Sequence, residues 1–208
     1  MSDLDVKEIL YSIIDSIGKK TIQINVNKDI LSSKSYIKEI LKESIQTVTK
    51  HDNYSKKNQD DENIFVILCE SLTHFLLTVK SVPSQRKILI KNIEIDLIIP
   101  DQITLNNNCQ NTLIIKFAKR DNISQYLETI KQDIQTLNEN IWIVSDLPLN
   151  IKNRNYILFK NENDLKTTNI IQDTRDEPQQ YHPFVDLIVD IEKFLKLHNN
   201  KNLRLVHF

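Results

Sequence analysis

Apolar positions run along this chain in more than one rhythm. Val6, Ile9, Leu10, Ile13, Ile14 and Ile17 recur at three- and four-residue steps, which predicts an amphipathic helix stopped by Gly18. Ile22, Ile24 and Val26 alternate with polar residues, which predicts a short strand. Ile37, Ile40, Leu41, Ile45 and Val48 return to helical spacing. Residues 50–62 are polar throughout and read as a linker or loop.

From residue 63 the texture changes. Ile64 to Val79 is apolar on most sides, as in a largely buried helix closed by Pro83. Ile88 to Ile90 and Ile93 to Ile99 read as two strands around a tight turn at Lys91-Asn92, the second ending at Pro100-Asp101. Residues 102–111 read as an Asn-rich loop and Leu113 to Ala118 as a third strand. Ile123, Leu127, Ile130, Ile134 and Leu137 mark another amphipathic helix. Ile141 to Val144 and Tyr156 to Phe159 read as further strands. Residues 160–181 are polar and irregular. Phe184, Leu187, Ile188, Ile191, Phe194 and Leu195 predict a closing helix over 183–198, and the tail 202–208 could add an edge strand. The passage strand–helix–strand over 113–144 implies a parallel pair with a right-handed crossover, whereas the preceding strands would pair antiparallel. The fold class is therefore α/β (α+β), a mixed central sheet flanked by helices. Its parts are an N-terminal helix–strand–helix extension over 1–50, a core over 63–159, and a C-terminal segment and closing helix over 160–208 packing on that core.

Composition narrows the chemistry. The 208 residues suffice for one domain with a sizeable core. Net charge is −1, so any nucleic-acid contact must come from a local patch. The two cysteines, Cys69 and Cys109, form neither a disulfide framework nor a zinc site. Gly18 is the single glycine, which excludes the glycine-rich loops of nucleotide-cofactor and P-loop enzymes. No apolar run is long enough for a membrane span and the N-terminus is acidic, so the chain reads as cytoplasmic.

Strand alternation supplies the candidate site. Glu94, Asp96 and Ile98 share one face of the second strand; Ile93, Ile95, Leu97 and Ile99 share the other. On the third strand Ile114, Lys116 and Ala118 share a face. If the strands pair, Asp96 and Lys116 meet. An acid that can hold a hard divalent cation, beside a lysine that can orient water and offset phosphate charge, is a sound design for phosphodiester cleavage.

Here the sequence resembles the PD-(D/E)xK, or restriction-endonuclease-like, nuclease superfamily, whose core runs helix–strand–strand–strand–helix–strand (αβββαβ). Asp96 within IEIDLIIPD fits the family aspartate, Lys116 within LIIKFAK the family lysine, and Glu70 within ILCESLTHF the helical glutamate. The resemblance spans about residues 63–145. It implies a catalytic set of Asp96, Lys116 and Glu70, and a metal set of Asp96, Glu70 and Glu94 for Mg²⁺ or Mn²⁺. The Glu of the Glu-x-Lys signature falls on Ile114, which cannot bind a metal, so Glu94 or Glu128 becomes the candidate stand-in. Gln125 and Tyr126 resemble the Gln/Tyr that follows the lysine in some branches. Lys119, Arg120 and Gln125 are candidate nucleic-acid contacts.

Two functions follow from the resemblance. One is a metal-dependent DNA phosphodiesterase. The other is a catalytically inactive nuclease-fold module, without a cofactor, for nucleic-acid binding or protein interaction. The residues also admit a purely structural reading, with Asp96–Lys116 as a local ion pair and His74, four residues from Glu70, as its partner. Residues 1–50 could serve substrate recognition or a homodimer.

Overall fold

The β-branched stretches between residues 85 and 183 assemble into one sheet of six strands. The computed structural model describes residues 3–52, 61–118, 123–134, 136–158 and 181–198. In it β1 (Gln85–Ile90), β2 (Ile93–Ile99), β3 (Leu113–Phe117), β4 (Ile141–Ser145), β5 (Asn155–Ile157) and β6 (Tyr181–Pro183) lie side by side in sequence order. β1 to β3 pair antiparallel; β3 to β6 pair parallel. The mixed sheet expected from the element order is therefore observed. The β1–β2 turn carries Lys91 and Asn92 at φ 48° and 66°, the two left-handed residues that a two-residue hairpin requires.

Helices cover both faces. On one lie α1 (Asp3–Ile17), α2 (Lys19–Val26), α3 (Ile30–Asp52), α4 (Asp61–Val79) and, near the C-terminus, α7 (Leu187–His198). Their apolar residues share one cluster with Leu97, Ile99, Leu113, Ile115, Phe117, Trp142, Val144 and Tyr156 of the sheet. On the other face α5 (Gln102–Asn107) and α6 (Ile123–Ile134) bring Leu105, Ile123, Leu127 and Ile130 against Ile98, Ile114, Ile141 and Ile143. Burial of this kind, about 25 cal/mol per Å² of apolar surface, is the main force holding the layers together.

Three sequence expectations need correction. Residues 22–26 are helix, not strand. Ile22 and Val26 are buried at helical spacing while Ile24 is exposed, so the short alternation was one turn of a helix seen out of context. The 1–50 unit is thus three helices, and α1 and α3 pack on α4 within the main core. Gly18, at φ 87°, makes the left-handed junction between α1 and α2. Residues 102–111 are also not a plain loop. Asp101 caps α5 by accepting the N–H of Thr104 at 2.7 Å, and a 3₁₀ turn follows at Cys109–Asn111. Finally, β2 does not alternate cleanly. Leu97 and Ile99 join the α4 face, but Ile93 and Ile95 pack with the α6 face. The hairpin pairs Arg86 with Leu97 and Ile88 with Ile95, and between them Lys87 sits at φ 48°, opposite Asp96. The strand changes its facing at this interruption.

Helix α4 ends as a Schellman motif before Pro83. Ser81 is left-handed at φ 56°, its N–H reaches the Thr78 carbonyl, and that of Val82 reaches Leu77. Helix α6 stops at Ile134, so Leu137 falls outside it. The closing helix begins at Leu187, after a 3₁₀ turn over Phe184–Asp186. Phe159, residues 160–180 and the tail 202–208 lie outside the described residues. Among the described residues no helix is long and apolar enough to cross a membrane.

Candidate functional site at the parting of β2 and β3

The register of β2 and β3 pairs Ile99 with Leu113, Ile98 with Ile114 and Leu97 with Ile115. The next step would set Asp96 opposite Lys116, and there the carboxylate replaces the ladder. Asp96 Oδ2 accepts the main-chain N–H of Phe117 at 2.8 Å. Lys116 Nζ lies 3.3 Å from Oδ2 and 3.5 Å from Oδ1. Asp96 is fully buried and Lys116 7 % exposed, so this is an ion pair inside the protein. Such a pair persists because the low-dielectric surroundings punish either charge alone. The lysine is further held by α6: its Nζ stands over the Tyr126 ring, 4.7 Å from the centroid.

Lys116, but not Asp96, lines a cavity of about 320 Å³ together with Asn92, Ile93, Glu94, Gln125, Tyr126 and Thr129. Two expected site residues, Glu94 and Gln125, therefore share the Lys116 cavity. Glu128 does not line it. It precedes Thr129 by one residue and lies about 100° round the helix from it, on the exposed side. Ile114 is fully buried between Ile98 and Ile141. Lys119 and Arg120 lie outside the described residues.

Glu70 belongs to a different set of contacts. Its carboxylate takes a 2.7 Å ion pair from Arg86 of β1, and the same guanidinium donates to Ser71 Oγ at 3.0 Å. Arg86 shares the α4 face of the sheet with its register partner Leu97, whereas Lys116 shares the α6 face with Ile114. His74 hydrogen-bonds Ser84 through Nδ1 at 2.9 Å and feels the charge of Glu70. Burial and the nearby Arg86 charge hold its pKa below the ordinary value, with Glu70 opposing them. Sequence reasoning missed Arg86; its one signal is a basic residue in an apolar hairpin facing a helix that buries a glutamate.

The structure brings Glu94 to the Lys116 cavity and sets Glu70 with Arg86 on the other face of the sheet. Among the described residues no three Asp, Glu, His or Cys side chains gather as a metal cluster. Asp96 pairs with Lys116 and accepts the Phe117 N–H, and Ile114 is fully buried.

No protein-family model matches the sequence, and no curated protein does. Solved structures do. The chain is similar to a complex of the restriction endonuclease PspGI with substrate DNA, at TM-score 0.55 and 16% identity over 93% of each chain. It is also similar to metal-depleted Ecl18kI in complex with uncleaved, modified DNA, at TM-score 0.52 and 13% identity, covering 95% of this chain and 81% of that one. The six-stranded mixed sheet, its helical layers and these two likenesses agree: the chain has the restriction-endonuclease-like fold.

Proposed function

We propose that this protein is a nuclease-fold module that binds DNA and does not cut it by the metal-dependent route. The observation carrying this reading is Ile114, fully buried at the position of the signature carboxylate and two residues from Lys116. A metal site with few ligands tolerates the loss of one badly. What remains, Asp96 with Lys116, closes on itself as an ion pair. The DNA part is supported by a fold shared with two proteins solved as DNA complexes. The test combines a mobility-shift titration at several salt concentrations with incubation in Mg²⁺ or Mn²⁺. Expected are a complex whose affinity falls linearly in log–log terms with salt, and intact DNA. Cleavage that disappears in both Asp96→Ala and Lys116→Ala would overturn the non-cutting part; absence of any complex would overturn the DNA part.

A second reading has one observation in its favour. Glu94 and Lys116 line the same cavity, so Glu94 could serve as the second carboxylate beside Asp96 for Mg²⁺ or Mn²⁺. Calorimetry with Mn²⁺ separates the two readings. Binding that vanishes in both Glu94→Gln and Asp96→Asn favours a working metal site, and no binding favours the module.

A further inference from the structure

Helices α2 and α3 meet at an elbow over residues 27–29, and apolar side chains stand out from it on both sides. Ile22 and Val26 turn inward and are fully buried, but Ile24, Ile30 and Leu31 are 62, 55 and 79 % exposed within one stretch of eight residues. A solitary exposed leucine is ordinary; three aliphatic side chains about one turn of chain are not. The elbow is held from behind. Asn27 Nδ2 donates to the Val79 carbonyl at 3.4 Å, and Lys80 Nζ to the Val26 carbonyl at 2.8 Å while pairing with Glu192 of α7 at 3.1 Å. The apolar tips thus sit on a backbone that needs no further ordering to bind.

The charge along this segment is one-sided. Residues 19–38 carry Lys19, Lys20, Lys28, Lys34 and Lys38 against one acid, Asp29, in a chain whose net charge is −1. Asp29 is turned onto the start of α3. It accepts the N–H groups of Leu31 and Ser32 at 3.0 and 3.1 Å and the Ser32 hydroxyl at 2.6 Å. Lys34 pairs with Asp186 at 2.7 Å, whereas Lys19, Lys20, Lys28 and Lys38 are exposed. The Lys28 ammonium rests on an uncharged acceptor, Asn25 Oδ1, at 2.7 Å and keeps its full charge beside the apolar tips.

Aliphatic tips among lysines select the partner. Protein interfaces anchor on Trp, Tyr and Arg and are depleted in lysine. A second copy docked about a two-fold axis would set lysine against lysine. Phosphate contacts on DNA would use the lysines and leave the three aliphatic side chains in water. An anionic lipid surface takes both: the acyl boundary receives the tips, and the lysine stems lie along them while the ammonium groups meet lipid phosphates. We infer that the α2–α3 elbow docks on an anionic bilayer surface, with Ile24, Ile30 and Leu31 entering it. Such docking requires no membrane-crossing helix. Helices α2 and α3 lie on the α4 face of the sheet and the Lys116 cavity on the α6 face, so a chain held at a bilayer still presents that cavity.

The inference goes beyond the DNA-binding reading and does not depend on it. Co-sedimentation with phosphatidylcholine vesicles, with and without about one-third phosphatidylglycerol, tests it. The wild type should sediment with the anionic vesicles only, and less so as salt rises. The variants I24S/I30S/L31S and K19Q/K20Q/K28Q change exposed side chains only, so both should keep the wild-type melting curve. The first should abolish sedimentation, and the second should weaken it about a hundred-fold. Leu31→Trp reads insertion directly, as a blue shift of its emission on anionic vesicles. No sedimentation of the wild type, sedimentation unchanged in the apolar variant, or no shift of the tryptophan overturns the inference. So does duplex DNA that displaces the vesicles and needs the same lysines, which would make the elbow a nucleic-acid contact.

Discussion

Asp96 Oδ2 stands 3.3 Å from Lys116 Nζ while accepting the Phe117 N–H at 2.8 Å. One carboxylate therefore does two jobs where β2 and β3 part. It ends the ladder by taking a main-chain donor, and it neutralises a lysine buried under Tyr126. The first job needs only an acceptor; the second needs an acid.

The buried pair should show strong non-additivity. Lys116→Met leaves Asp96 buried without its cation, and Asp96→Asn leaves the lysine uncompensated. Each should cost about 3–5 kcal/mol in urea unfolding. The double variant D96N/K116M keeps an acceptor for Phe117 and removes both charges, so it should recover much of that loss. Additive single and double effects would show that the two charges do not depend on each other.

Ile114→Glu places a carboxylate, where the family resemblance expects one, in a fully buried, apolar position. Without a metal it should lower stability by more than about 3 kcal/mol, because a carboxylate loses its hydration there. If the rest of the site keeps the geometry of its fold, Mn²⁺ should raise the melting temperature of this variant and leave the wild type unchanged. At a hundred-fold excess over Kd the gain would be about 2.7 kcal/mol. Equal Mn²⁺ effects on both chains would count against that geometry.

Glu70 and Arg86 should behave as a structural couple. Arg86→Met leaves Glu70, itself fully buried, without its 2.7 Å partner. A loss of about 3 kcal/mol is expected, reduced by adding Glu70→Gln. Thermal unfolding of the three variants measures this, and the DNA affinity of the double variant should stay at the wild-type level.

Two windows of pH dependence follow from the shifted groups. Burial would raise the Asp190 pKa, but hydrogen bonds from Lys193 and Tyr156 and the charges of Lys193 and Arg154 outweigh it and lower it below 3.8. A lowered folded pKa contributes stability above about pH 3.8 that fades as pH falls through the folded value. Asp190→Asn should thus be less stable than wild type at neutral pH, and the two should converge in acid. His74 and His182 are held below 6.5, chiefly by burial. The unfolded chain then takes up protons first, so stability should start to fall as pH drops below about 6.5. A pH series of melting curves, with His74→Gln and His182→Gln for comparison, checks both windows.

Much of the layering was legible in the sequence because burial imposes periodicity. The runs at 64–79, 93–99, 113–117, 123–134 and 141–145 carried their element types on their face, and the pairing of Asp96 with Lys116 followed from alternation. The failures have local causes. Three alternating apolar residues in α2 cannot distinguish a strand from one turn of helix. Asp101, read as the end of the second strand, is also the cap of a helix hidden in the asparagine-rich stretch that follows. The left-handed Lys87 that turns β2 over has no signature in its side chain.

Sequence alone determined the order of elements, the acid and lysine on neighbouring strands, and the apolar Ile114 two residues before that lysine, since each is set by spacing and residue type. Tertiary structure decided which partners each carboxylate meets. Glu70 met Arg86 across the sheet face, Asp96 met Phe117 and Lys116, and Glu94 was left at the mouth of the cavity with Gln125, Tyr126 and Thr129. Those partners come from strands and helices that approach only when the layers pack. The cost of burying an unpaired charge then dictates which pairs must form.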